Sequence, residues 1–124
     1  MRVLLDTHVV LWWRMNSPDL GGEARRTIAN AEDVFVSAAS AWEVAIKIAI
    51  GRLRLKGPFA ALVAQSRFAE LPVTFAHAQR VLGLPLHHAD PFDRLLVAQA
   101  LAEDLVLITH DRQLEPYDVP VLWA

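Results

Sequence analysis

The chain has 124 residues, 54% of them hydrophobic, enough for one domain around one core and too few for two. It has no cysteine, which excludes disulfides, thiolate metal sites and a cysteine nucleophile and leaves oxygen and imidazole ligands. A net charge of −2 excludes a protein that wraps long stretches of nucleic acid by charge alone, and no apolar run approaches membrane-spanning length.

Met1 to Leu5 is stopped by Asp6 before it could serve as the hydrophobic segment of a signal peptide, so the cytoplasm is the expected location. Val3-Leu4-Leu5 suits a short strand buried on both faces of a parallel sheet. Thr7 is placed to cap a helix from His8 to about Met15, in which Trp12 and Trp13 cannot share one face. The turn-rich loop Asn16 to Gly22 leads to a short helix through Ala24, Ile28 and Ala31, and Val34-Phe35-Val36 reads as the second strand.

Trp42, Ala45, Ile46, Ala49, Ile50 and Leu53 recur at helical spacing, which predicts an amphipathic helix with this stripe as its apolar face. Ser40 and Glu43 match a capping box at its start, and Glu43 precedes Lys47 by four residues in the favourable order for an ion pair. Arg52, Arg54 and Lys56 follow, either as a local basic patch or as solvated cations at a helix end. Gly57-Pro58 restarts the chain into a helix from Phe59 to about Phe68, and Leu71-Pro72-Val73 reads as an edge strand. A helix opening at Thr74 or Phe75 runs through Ala78, Val81 and Leu82 and closes near Gly83 and Pro85.

Asp90 is the expected N-cap of the next helix, with Pro91 its first residue, Asp93 its third and Glu103 near its end. Leu105 to Ile108 is the most strand-like run of all, ending at Thr109-His110-Asp111, and Val119 to Leu122 forms a last edge strand. Strands alternating with helices call for an α/β fold: a single three-layer α/β/α domain over residues 1–124, with a mostly parallel sheet of about five short strands and right-handed crossovers.

In such a sheet the strand C-termini and the helix N-termini share one rim. Asp6 and Asp111 would meet there if their strands are neighbours, and Glu43 and Asp93 would reach the same rim. Capping alone accounts for Asp90 and Asp93 equally well. If the four carboxylates do converge, their repulsion calls for a cation, and oxygen ligands without cysteine point to Mg²⁺ or Mn²⁺. Such an ion polarises a phosphoryl oxygen and activates water, which suits phosphodiester hydrolysis. The five histidines lack a paired i, i+4 ligand spacing and read mostly as surface or loop residues; His110, beside Asp111, is near enough to touch substrate.

The chain also resembles PIN-domain nucleases, specifically the VapC-like toxins of bacterial toxin–antitoxin pairs. The resemblance rests on Asp6 ending the first strand, on Ser40-Ala41-Trp42-Glu43, on the run from Asp90 to Ala100, and on Thr109-His110-Asp111, in that order and across nearly the whole chain. It implies a metal-dependent endoribonuclease with Asp6, Glu43 and Asp93 as core acids, Asp111 as the fourth and Thr109 as a supporting hydroxyl. Asp90 is close enough to Asp93 to share or replace its role as a metal ligand. A cognate antitoxin, an RNA substrate and a homodimer are the implied partners, and four tryptophans with a mean hydropathy of +0.28 likewise suggest apolar surface to be covered. Two rival readings are a receiver-like Mg²⁺-binding phosphoacceptor and a non-catalytic module of the same fold.

Overall fold

Val3, Leu4 and Leu5 are completely buried, so the first strand has no solvent face and needs cover on both sides. In the computed structural model, which describes residues 1–124, this strand, β1 (Arg2–Leu5), lies at the centre of a five-stranded sheet. The chain then continues through α1 (Thr7–Arg14), α2 (Gly22–Asn30), β2 (Asp33–Ser37), α3 (Ala38–Ala49), α4 (Phe59–Gln65), β3 (Ala69–Leu71) and α5 (Phe75–Leu82). It ends with α6 (Pro91–Glu103), β4 (Val106–Thr109), a 3₁₀ turn at Arg112–Leu114 and β5 (Val121–Trp123). The strand order is β3-β2-β1-β4-β5, and all four pairings are parallel. This differs from the 2-1-3-4-5 order of flavodoxin-like receivers and removes that rival.

Alternation along β1 separates two cores. Val3 and Leu5 point to one face, where Val9 and Val10 of α1, Ala24 and Ile28 of α2, and Leu62 and Val63 of α4 pack. Leu4 points to the other, against Leu96, Val97 and Ala100 of α6. The result is the expected α/β/α layering. No helix is long and apolar enough to cross a membrane.

The elements depart from the sequence reading at two caps and one strand end. Asp6, not Thr7, caps α1, its side chain accepting from the Val9 amide at 2.9 Å; Thr7 is the first helical residue and is buried. Ser37 caps α3 by accepting from the Ala39 amide, so Ser40 lies inside the helix and forms no capping box with Glu43. The apolar stripe of α3 lies largely in solvent: Trp42 and Ile50 are 64% and 60% exposed, while Ala39, Ser40 and Val44 are the residues the helix buries. Pro72 lies just past β3, an edge strand that stops at Leu71, consistent with a residue that cannot donate to a ladder. Trp12 and Trp13 are both half-buried against the first core, Trp12 tilted on His110 and Trp13 on Phe68.

Candidate active site

The pairing of β1 with β4 places Leu5 opposite Ile108, so the residues leaving the two strands, Asp6 and Thr109, come out side by side. The Asp6 amide donates to the Ile108 carbonyl at 3.0 Å and extends the ladder by one step. Asp6 is buried, with Oδ1 used by the α1 amide and Oδ2 accepting a short hydrogen bond from the Thr109 hydroxyl. The same Thr109 oxygen accepts from the Asp111 amide at 3.1 Å, which fixes the chain where it turns toward Asp111.

Two helices supply the remaining acids. The α6 cap uses Asp90, whose Oδ1 accepts from the amides of Phe92 at 2.8 Å and Asp93 at 3.2 Å, and this sets Asp93 in the first turn facing the cleft. Glu43 comes from the second turn of α3, which starts directly after β2, the neighbour of β1 on the other side. Its Oε2 pairs with Lys47 at 3.1 Å, and its Oε1 lies 2.7 Å from the Thr7 hydroxyl. Since that hydroxyl has one proton and Ser40 Oγ is also within 2.9 Å, the proton goes to the carboxylate and Ser40 donates to Thr7.

Together these side chains line a polar cleft of about 370 Å³ with no hydrophobic residue in its wall: Asp6, Glu43, Asp90, Asp93 and Asp111, joined by Lys47 and three histidines. His88 Nε2 lies 2.9 Å from Asp93 Oδ2 and 3.2 Å from Asp111 Oδ2, tying α6 to the segment after β4. The Asp93 carboxyl is pushed up to about 7, first by burial and then by the charges of Asp90 and Asp111, with the His88 contact opposing. His110 Nδ1 stands 3.8 Å from Asp6 Oδ2, too far for a good hydrogen bond, but the carboxylate still raises the imidazole pKa against the effect of burial.

Residues 3–120 match the PIN domain. The chain belongs to the PIN-domain family. This PIN domain is 31% identical over 121 residues to Ribonuclease VapC22 of Mycobacterium tuberculosis, covering 95% of this chain and 93% of that one. Among solved structures it is similar to VapBC2 of Rickettsia felis bound to a DNA fragment from its promoter (TM-score 0.75, 14% identity, 99% and 98% of the two chains). It is also similar to FitAcB of Neisseria gonorrhoeae (TM-score 0.66, 21% identity, 97% and 96%). At these identities the two structures speak for the fold.

The site residues read from sequence are thus brought to one cleft, Asp6, Glu43, Asp93 and Asp111 lining it with Asp90, and Thr109 directly behind Asp6. What sequence reasoning missed in this PIN domain is the part played by His8, His77 and His88; of the five histidines it placed His110 alone near the site. His8, His88 and His110 line the cleft, and His77 is buried, completing the α5 capping box with Thr74 and meeting Glu103 at 3.0 Å. Histidines brought together by tertiary structure have no spacing signal. The signal available was the adjacency that singles out His110, since His8 lies two residues after Asp6 and His88 two before Asp90.

Proposed function

We propose that this PIN domain is a metal-dependent endoribonuclease acting in the cytoplasm as the toxin of a toxin–antitoxin pair, with Asp6, Glu43, Asp93 and Asp111 as its catalytic acids. The observation that carries the reading is the cleft itself, five carboxylates from four separate parts of the chain with one ammonium, Lys47, among them. The 31% identity to a protein named as a ribonuclease supports it.

The donor set fits a hard divalent cation, Mg²⁺ or Mn²⁺, because its atoms are carboxylate oxygens with no sulfur, and Asp93, lifted to about 7, gains by meeting a positive charge. Asp6, Asp93, Asp111 and Glu43 would hold the ion, with Asp90 beside them. When bound, it supplies charge to a phosphoryl oxygen and acidity to a water. The rest is done by the chain. Thr109 restrains the Asp6 carboxylate and, through the Asp111 amide, sets the spacing of the two strand-end acids. Thr7 and Lys47 hold the Glu43 carboxylate from two sides. Net hydrolysis forms a bond from a water oxygen to phosphorus and breaks one ester P–O bond.

The partners expected are RNA, an antitoxin chain and a second copy. Exposed apolar side chains support the protein partners: Trp42, Ile46 and Ile50 on and just past α3, Phe75 and Leu82 on α5, and a groove of about 310 Å³ between α3 and α4 lined by Ala41, Phe59 and Val63. Incubating the purified protein with single-stranded RNA, with Mn²⁺ or with chelator, tests the activity. Cleavage that needs the ion and is lost in Asp6→Asn is expected, and equal cleavage with chelator would refute the reading.

A further inference from the structure

His88 has no counterpart in the acid set above, yet it holds the most connected position in the cleft. Its Nε2 meets two carboxylate oxygens from different elements, Asp93 Oδ2 at 2.9 Å and Asp111 Oδ2 at 3.2 Å. One ring N–H serves one acceptor well, so two carboxyl oxygens converging on one nitrogen leave the second poorly matched. Donor atoms of His88, Asp90 and Asp93 also lie within 4.8 Å of one another, close enough to share one ion.

The distances carry a second meaning. Neighbouring ligands around an octahedral ion with bonds of about 2.1 Å are about 3.0 Å apart, √2 times the bond length. The two contacts of His88 Nε2 already have that spacing, so an ion can replace the shared proton with little movement of the heavy atoms. The Asp90 Oδ1 atom is committed to the α6 amides, which leaves Oδ2 without a hydrogen bond within the chain.

The loop that carries His88 is built to keep it in place. The His88 amide donates to the buried Tyr117 hydroxyl at 3.1 Å. Arg94 donates to the same hydroxyl at 3.0 Å and to the carbonyls of Pro85 at 2.9 Å and Val81 at 3.2 Å. Arg94 thus spends its guanidinium on the backbone of the 81–85 segment and on Tyr117. These bonds fix the His88 backbone, and the two carboxyl contacts at Nε2 hold its ring in the cleft; a metal ligand gains from such a frame, since it loses little freedom on binding.

We propose that His88 is a nitrogen ligand of the divalent ion, alongside the Asp93 and Asp111 carboxylates it already meets and with Asp90 within reach, and that it biases the site toward Mn²⁺ over Mg²⁺. This rests on the metal-dependent reading above. Mn²⁺ is best served by carboxylates but accepts an imidazole nitrogen among them more readily than Mg²⁺, which is bound through oxygen and keeps several waters.

Spin-echo modulation spectra of the Mn²⁺-loaded full-length protein test it. Imidazole nitrogen coupling is expected in wild type, in His8→Gln and in His110→Gln, and is expected to vanish in His88→Gln. Titrations should show His88→Gln weakening Mn²⁺ by about tenfold or more and Mg²⁺ by no more than about threefold. Bound Mn²⁺ without nitrogen coupling in wild type, or coupling that persists in His88→Gln, overturns the assignment while leaving the acid site intact. A wild-type protein that binds no Mn²⁺ overturns the metal-dependent reading itself, and this assignment with it.

Discussion

Helices α3 and α6 each bring a carboxylate to the same cleft, and they are built on opposite plans. From Leu96 to Ala100, α6 is buried at five successive positions, while α3 buries chiefly Ala39, Ser40 and Val44 and leaves its larger apolar side chains in solvent. Their acids differ as well. Glu43 on α3 has a cation and a hydroxyl to itself, whereas Asp93 on α6 shares one imidazole nitrogen with Asp111 and faces Asp90. One helix is held by this chain's own core; the other presents a surface that its own core does not use.

The sharpest way to test that contrast is to cut both helices. Leu96→Ala in α6 should cost about 2–5 kcal/mol of stability through lost burial and the cavity left behind. Ile50→Ala, at the end of α3, should shift protomer stability by no more than about 0.5 kcal/mol. Denaturant unfolding at low protein concentration measures both. A large loss from Ile50→Ala under those conditions would show that the protomer, not an assembly, needs the stripe.

Activity separates the acids next. Asp93→Asn and Glu43→Gln should each lower RNA cleavage by about a hundredfold or more, since each removes a charge that would face the cation and developing phosphoryl charge. Asp90→Asn keeps an oxygen for the helix cap and should lose less, whereas Asp90→Ala should also destabilise by about 1 kcal/mol. Full activity in Asp93→Asn with loss in Asp90→Asn would move the third acid to the cap.

The proton balance distinguishes the helices again. Asp93 has a folded pKa of about 7, above its ordinary value of 3.8, so the native state holds a proton that the unfolded chain releases. Its contribution is therefore fully present below about pH 4 and is lost as pH rises through 7. His110, also raised, acts in the same direction. Melts of chelated protein from pH 4.5 to 8.5 should fall with pH, and Asp93→Asn should make the slope shallower while stabilising the protein at pH 8. An unchanged slope would place the titration elsewhere.

These contrasts also mark what could be read without coordinates. The α6 boundaries, Pro91 to Glu103 with Asp90 as cap, were legible because capping chemistry is local and proline at the first position is nearly unambiguous. Alternating strands and helices implied the parallel sheet, and β1 and β4 proved to be the neighbours that the Asp6–Asp111 pairing required. The α3 stripe was legible as an apolar face, but periodicity does not show what covers such a face. Its cap was misplaced because Ser37 and Ser40 are equally good candidates, and only the end of β2 at Ser37 decides between them. Mutual repulsion was legible as the need for a cation, but the larger cause of the raised Asp93 carboxyl is burial, and burial is invisible before the chain folds.

The smallest effect expected is the most specific to α3. Lys47 pairs with Glu43 at 3.1 Å across one helical turn, and methionine has nearly the same helix propensity as lysine, so Lys47→Met isolates the charge. Without metal it should cost about 0.3–0.5 kcal/mol, the usual worth of such a pair when partly exposed. With metal the sign reverses. Removing a cation from a cleft that binds a cation should tighten divalent binding, and an ion at a hundredfold excess over its dissociation constant adds about 2.7 kcal/mol to either protein. Lys47→Met should therefore melt slightly below wild type in chelator and reach half-maximal stabilisation at lower Mn²⁺. Weaker Mn²⁺ binding in the variant would mean that Lys47 is needed to position Glu43, and that the hydrogen bond from Thr7 alone does not hold the acid in place.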